Sequence, residues 1–243
     1  MKFLATLLIV LLAGCGSPPS HRETLSVFAA ASLRNSFTDL DGAFAGANPG
    51  TGVELSTAGS ADLLAQLTHG AVADVLATAD ALTMDRAAVA GLLAGPAVPF
   101  ATNSLTIVVA PGNPKGISSF RDLPDVTLVV CAVQVPCGSA LPMLQDRTGV
   151  RLAPVSEESS VADVLNKVTS GQADAGLVYV TDARAAGAAV TAVALPEASD
   201  LVNGYRIAVL KGSPNPDLAS RFVDLVTGPT GRRVLAAAGF GTP

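Results

Sequence analysis

Small hydroxyl-bearing residues recur in this chain where an apolar strand gives way to a helix. Leu25–Ala30 (LSVFAA) runs into a helical stretch through Ser32, and Val53–Thr57 runs through Ala58-Gly59-Ser60 into ADLLAQLTHG. Cys137-Gly138-Ser139 precedes ALPMLQDRTG, Ser159-Ser160 precedes VADVLNKVTSG, and Tyr179 stands near the end of another apolar run, Ala175–Val180. At a helix start the first backbone N–H groups have no intrahelical acceptor, and the helix dipole favours negative charge. Several such starts aimed at one cleft would supply N–H and O–H donors without a full positive charge. That chemistry suits a desolvated oxyanion, since a hydrogen bond to an ionised partner is worth about 1.5–3 kcal/mol. Five or more would sum to roughly 10 kcal/mol before association costs, enough for micromolar or tighter binding. Each serine taken alone is equally an ordinary helix cap, so the argument rests on recurrence.

Other chemistries find fewer residues. Walker A, G-x-G-x-x-G, G-x-S-x-G, S-x-x-K and H-E-x-x-H are all absent, and no carboxylate pair stands out as acid and base. His21 and His69 are the only histidines. A serine hydrolase built on Ser32 or Ser60 would therefore depend on His69, near the end of its helix. No metal site is expected, because the spacing of Cys131 and Cys137 does not suit one. The net charge of −5 and the lack of a Lys/Arg cluster argue against nucleic acid.

The N-terminus reads MKFLATLLIVLLAGC. One Lys, an apolar run too short to span a bilayer and a small-residue ending predict a signal peptide over residues 1–14. Leu12-Ala13-Gly14-Cys15 resembles the bacterial lipobox, which would make Cys15 the lipidated first residue and residues 15–21 a tether. A plain secretory signal with an incidental Cys is the alternative. The protein is expected to be exported and lipid-anchored to the outer face of the cytoplasmic membrane. In that oxidising setting Cys131 and Cys137 are expected to form a disulfide stabilising by roughly 2 kcal/mol, with two buried free thiols as the alternative.

Positioning these groups requires alternating strands and helices. Strands are predicted at 25–30, 53–57, 73–80, 103–110, 126–131, 175–180 and 203–210. Helices are predicted at 32–46, 60–70, 84–93, 140–149, 161–171, 215–228 and 229–240, with a brief one at 117–123. Unalternating apolar runs such as Val126–Cys131 suit parallel strands buried on both faces. The pattern predicts an α/β fold with mostly parallel sheets. With 243 residues, 49% of them apolar and 14% charged, the chain can bury a sizeable core.

FAAASL, AGSADLLAQL, ADVLATAD, NSLTIVVAP, GLVYVTDA and GPTGRRVLAAAGF occur here in the order seen in bacterial periplasmic molybdate-binding proteins. The resemblance runs from about Leu25 to Phe240. It implies a type II periplasmic-binding-protein fold, with two lobes that each hold a mostly parallel sheet flanked by helices and a two-strand hinge. Lobe 1 would comprise residues 22–103 plus 204–243, and lobe 2 residues 104–203. It further implies a monomeric carrier rather than an enzyme, without cofactor, that takes molybdate or tungstate between its lobes to a membrane ABC importer. By the same resemblance Ser32 and Ser60 would each give a hydroxyl and a backbone N–H. Cys137 and Val161 would give backbone N–H groups and Tyr179 its hydroxyl, with no protein atom bound directly to molybdenum. Two departures stand out: Cys137 replaces a common Ala, and Gly59 a common Ser. The departure in the second-lobe loop leaves sulfate or phosphate as an alternative ligand in the same fold. A structural lipoprotein without a ligand is a third reading.

Overall fold

The computed structural model describes residues 23–243. The signal segment 1–14, Cys15, the tether 15–21 and His21 lie outside the described residues. The chain opens with β1 (Glu23–Ala30), α1 (Arg34–Ala47), β2 (Thr51–Ala58), α2 (Ser60–Thr68), β3 (Val75–Thr78), α3 (Ala81–Val89) and β4 (Val98–Asn103). A second series follows: β5 (Leu105–Val109), β6 (Leu128–Cys131), α4 (Leu141–Thr148), β7 (Ser156–Glu158), α5 (Val161–Thr169), β8 (Ala175–Tyr179), α6 (Val180–Ala186) and β9 (Thr191–Val193). The last elements are β10 (Asn203–Val209), α7 (Pro216–Thr227) and α8 (Pro229–Ala238).

Two five-stranded sheets result, ordered β2-β1-β3-β10-β4 and β7-β6-β8-β5-β9. In the first, β1 pairs in parallel with β2 and β3, while β10 runs antiparallel to β3 and β4. In the second, β6 pairs in parallel with β7 and β8, while β5 runs antiparallel to β8 and β9. Both sheets are therefore mixed, each with a single strand, β10 or β5, running against the rest. The chain leaves the first sheet at Asn103, enters the second at Leu105, and returns at Asn203. Asn103 and Asn203 face each other in the β4–β10 register.

The strands that sequence patterning does not find are β4, β7 and β9, and each lies at a sheet edge. Pro99 in β4 removes a ladder donor, which an edge tolerates and a sheet interior does not. β7 and β9 span only three residues each, too few to show alternation. The expected helix at 117–123 is a 3-10 segment at Phe120–Asp125, where Pro124 discourages a regular helix.

Central strands β3, β5, β6 and β8 are buried along their whole length, as their continuous apolar runs require. Against the first sheet, α7 starts with Pro216 and buries Leu218, Ala219, Phe222, Val223 and Val226 along one stripe. Phe222 stands edge-on to Phe37 and Phe44, with ring centroids 5.7 and 5.3 Å away. The aromatic contacts continue through Phe100 to Tyr205, and from Tyr205 to Tyr179 of the second sheet at 6.0 Å. Phe222→Ala should therefore cost about 3–5 kcal/mol in chemical denaturation. A loss below about 1 kcal/mol would contradict this packing.

Candidate functional site

Ser32, Ser60, Cys137, Val161 and Tyr179 all line one cavity, together with Gly59, Ala79, Pro136, Ser159 and Ser160. The cavity is small, with room for one small species. No residue lining it carries a formal charge. The carboxyl ends of β1 and β2 supply one side, and the end of β8 with the start of α5 supplies the other.

Neither Ser32 nor Ser60 caps its own helix, so the ordinary-cap alternative holds for neither. Ala30 is the last extended residue of β1, so a 3-10 turn begins at Ala31 and carries Ser32 inside it before α1. Gly59 is the N-cap of α2 and Ser60 its first residue, without a side-chain cap bond. Both hydroxyls are therefore free of the duty that usually occupies a helix-start serine. The Ser60 Oγ instead accepts the buried Ala79 N–H at 3.0 Å, which leaves its own proton to donate elsewhere. The Ser32 Oγ lies 2.8 Å from the Tyr205 hydroxyl.

Ser160 is a true cap. Its Oγ accepts the Asp163 N–H at 3.3 Å and donates to Asp163 Oδ2 at 2.6 Å. Val161 thus becomes the first residue of α5, with a backbone N–H that no intrahelical carbonyl can reach. Cys137 does not stand at a helix start either, since α4 begins at Leu141 with Ala140 as its cap. It sits in a turn where the Gly138 and Ser139 N–H groups both donate to Val135 O, at 3.0 and 3.1 Å. A disulfide joins Cys137 to Cys131. Asn203 Nδ2 donates to Pro136 O at 3.0 Å, and a Cβ on Gly138 would lie 2.1 Å from Ala132 O, so the turn is held against β6 and β10.

Gly59, which also lines the cavity, is a second position that only glycine can fill. A Cβ there would lie 2.2 Å from the Ser159 carbonyl oxygen. The turn after β2 and the turn before α5 meet at this point, beside the cavity, and a serine at 59 would keep them apart.

Tyr179 is 1% exposed, and its hydroxyl has no hydrogen-bond partner. Burial pushes its pKa well above the ordinary tyrosine range, and Tyr205 and Asp182 nearby push it further. Burial also raises that of Tyr205, with the Asp182 charge adding to it. Both phenols therefore stay protonated and able to donate. The Asp182 carboxylate accepts the Tyr179 N–H at 3.2 Å, and burial pushes its pKa up to about 7.

His69 is remote from this cavity. It caps the far end of α2, about 13 Å along the helix from Ser60, and its ring Nδ1 lies 2.7 Å from Ala65 O. His69 therefore cannot serve Ser60 as the base that the hydrolase reading requires. Among the described residues no cluster of three or more His, Cys, Asp or Glu could hold a metal ion. Nor is any described helix long and apolar enough to cross a membrane. Sequence reasoning misses Tyr205 at this site, although it is one of only two tyrosines in the chain.

Two stability measurements check this hydrogen-bond accounting. Without ligand, Tyr179→Phe deletes an unpartnered buried hydroxyl and should gain about 1 kcal/mol, whereas Ser60→Ala strands the Ala79 N–H and should lose about 1–3 kcal/mol. Urea denaturation reads both signs, and a destabilised Tyr179→Phe would contradict the unpaired hydroxyl. The second concerns Asp182. Its carboxyl keeps in the folded state a proton that the unfolded chain releases above pH about 4, so its contribution to stability falls as pH rises to about 7. Asp182→Asn should gain on the wild type between pH 4 and 8; a difference that does not change with pH would refute the raised pKa.

Residues 25–241 match the model of the bacterial extracellular solute-binding protein family. Molybdate-binding protein ModA of Mycobacterium tuberculosis H37Rv is 51% identical over 251 aligned positions, which cover 99% of this chain and 96% of that protein. Among solved structures, the Azotobacter vinelandii periplasmic molybdate-binding protein superposes with a TM-score of 0.75 at 21% identity, covering 90% of this chain and 99% of its own. The sulfate-binding protein SubI of M. tuberculosis H37Rv gives the same TM-score, 0.75, at 22% identity, over 90% of this chain and 86% of its own. The shared architecture alone thus does not choose between tetrahedral oxyanions. The family match spans both sheets and every residue of the cavity, and this chain belongs to the bacterial extracellular solute-binding proteins.

Proposed function

We propose that the protein captures molybdate, and tungstate with it, between its two sheets and delivers the anion to a membrane ABC importer. It is an exported binding protein, not an enzyme, and needs no cofactor. The observation that carries the reading is the Tyr179 hydroxyl, buried without a partner in a charge-free cavity lined by unspent donors. The 51% identity to a molybdate-binding protein supports the choice of anion. In this reading Ser32, Ser60 and Tyr179 donate hydroxyls and Cys137 and Val161 donate backbone N–H groups, all to the oxyanion. Residues 22–103 with 204–243 form one lobe and 104–203 the other. The crossings at Asn103–Leu105 and near Asn203 act as the hinge. Lipidation at Cys15 holds the monomer at the membrane surface.

A cavity that offers donors and few acceptors also sorts anions by protonation. Two acceptors bordering it are already engaged: Pro136 O by Asn203 and Ser139, and Ser60 Oγ by Ala79. Molybdate, tungstate and sulfate are fully deprotonated near neutral pH, whereas phosphate keeps a proton that would need an acceptor. An unmet polar group of that kind discriminates strongly. Separating molybdate from the smaller sulfate is left to cavity size, because every donor distance grows together around a smaller tetrahedron.

Isothermal titration of residues 16–243 tests the proposal. Molybdate and tungstate should bind one-to-one, with phosphate weaker by about 100-fold or more. Ser60→Ala and Tyr179→Phe should each weaken molybdate by about 1–3 kcal/mol. Phosphate binding as tight as molybdate, or wild-type affinity in both variants, would refute it.

A further inference from the structure

We infer that Asn103 and Tyr205 are positioning residues for the anion: together they form a directed hydrogen-bond relay that turns the hydroxyl proton of Ser32 into the cavity. The inference rests on the oxyanion reading above and adds two residues that touch no ligand. The direction of the relay follows from donor and acceptor inventory. Ser104 N–H donates to Asn103 Oδ1 at 3.1 Å, which fixes the oxygen end of that amide. Its Nδ2 then faces Thr181 Oγ1 at 2.7 Å and the Tyr205 hydroxyl at 3.4 Å. An amide nitrogen only donates, so the Tyr205 oxygen is the acceptor of that bond.

Tyr205 is fully buried, so its own single proton also needs a partner. Ser32 Oγ, 2.8 Å away, provides one. With its oxygen accepting from Tyr205, Ser32 has its proton left to donate, and the cavity it lines is where an acceptor would arrive. In the opposite direction the Tyr205 proton would need another acceptor, and the hydroxyl of Tyr179, whose ring packs against it, is not within hydrogen-bond geometry.

The relay sits where the chain passes between sheets. Asn103 ends β4, Tyr205 lies on the paired strand β10, and Thr181 follows Tyr179 by two residues on the other sheet's side. The same crossing strands therefore connect the two sheets and set the polarity of a donor. Asn203, opposite Asn103, holds the carbonyl of Pro136 next to Cys137. Tyr205 also packs its ring on Phe100, Tyr179 and Phe240 at 6.1, 6.0 and 5.3 Å. Deleting only its hydroxyl separates the relay from that packing.

The test is a double-mutant cycle read by isothermal titration with molybdate, using residues 16–243. Tyr205→Phe should weaken binding about 5- to 10-fold in the wild-type background and less than about 2-fold when Ser32→Ala is already present. Wild-type affinity in Tyr205→Phe, or the same fold-loss in both backgrounds, would overturn the relay, the latter assigning Tyr205 to packing alone. Should Tyr205→Phe not fold, Asn103→Asp takes its place. That change keeps the shape but substitutes an acceptor for the donor, and so reverses the relay. Its loss should shrink in the Ser32→Ala background, and an unchanged loss would overturn the proposal. Absence of molybdate binding in the wild-type protein would overturn the underlying oxyanion reading, an outcome distinct from either of these.

Discussion

An unpartnered hydroxyl buried in protein costs about 1–3 kcal/mol, and a folded chain normally avoids it. Here the Tyr179 hydroxyl is held in that state at the end of a fully buried strand. Beside it, Ser60 spends its oxygen on Ala79 and keeps its proton, and the first N–H of α5 has no helical acceptor. The cavity is thus short of acceptors, and a species rich in acceptors resolves the shortage. A tetrahedral dianion offers four oxygens and no hydrogens. Its charge is spread over them, so neutral donors suffice to hold it without a buried ion pair that would slow its release.

The fold produces this shortage by local geometry. A 3-10 turn places Ser32 past the capping position, and Gly59 takes the cap of α2, so neither hydroxyl is consumed by a helix. Gly59 also permits the approach to the Ser159 carbonyl that brings the two sides of the cavity together. The turn carrying Cys137 is bridged to the end of β6, held by the Asn203 amide and packed through Gly138 against Ala132. These contacts hold its backbone in one orientation. Such fixed dipoles are what allow a site without charges to bind an ion.

Much of this was legible in the sequence. Long buried strands such as Leu105–Val109 and Ala175–Tyr179 are continuous apolar runs that a two-sided burial demands. Short edge strands carry no such mark, and one of them contains Pro99. The five expected cavity residues are brought together, and the two serines are available to a ligand because neither caps its helix. That distinction depends on where the extended backbone stops, at Ala30 or Gly59, and residue type alone does not set a boundary to one position. In the sequence Tyr205 is simply one residue of an expected strand. Its role depends on neighbours at 32 and 103, contacts so distant along the chain that no local pattern records them.

Molybdate- and sulfate-binding proteins share this architecture equally well, so the account rests on the donors and their placement. A crystal structure of the molybdate complex, with the anomalous signal of molybdenum locating the ion, tests it most directly. The account predicts one strong peak between Ser60 and Tyr179. Oxygens should lie within hydrogen-bond distance of Ser32, Ser60, Cys137, Val161 and Tyr179, and no cation should be in contact. A peak instead in the neighbouring cavity that holds Arg34 and Arg184 would show that charge, not neutral donors, captures the anion, and would contradict the central claim.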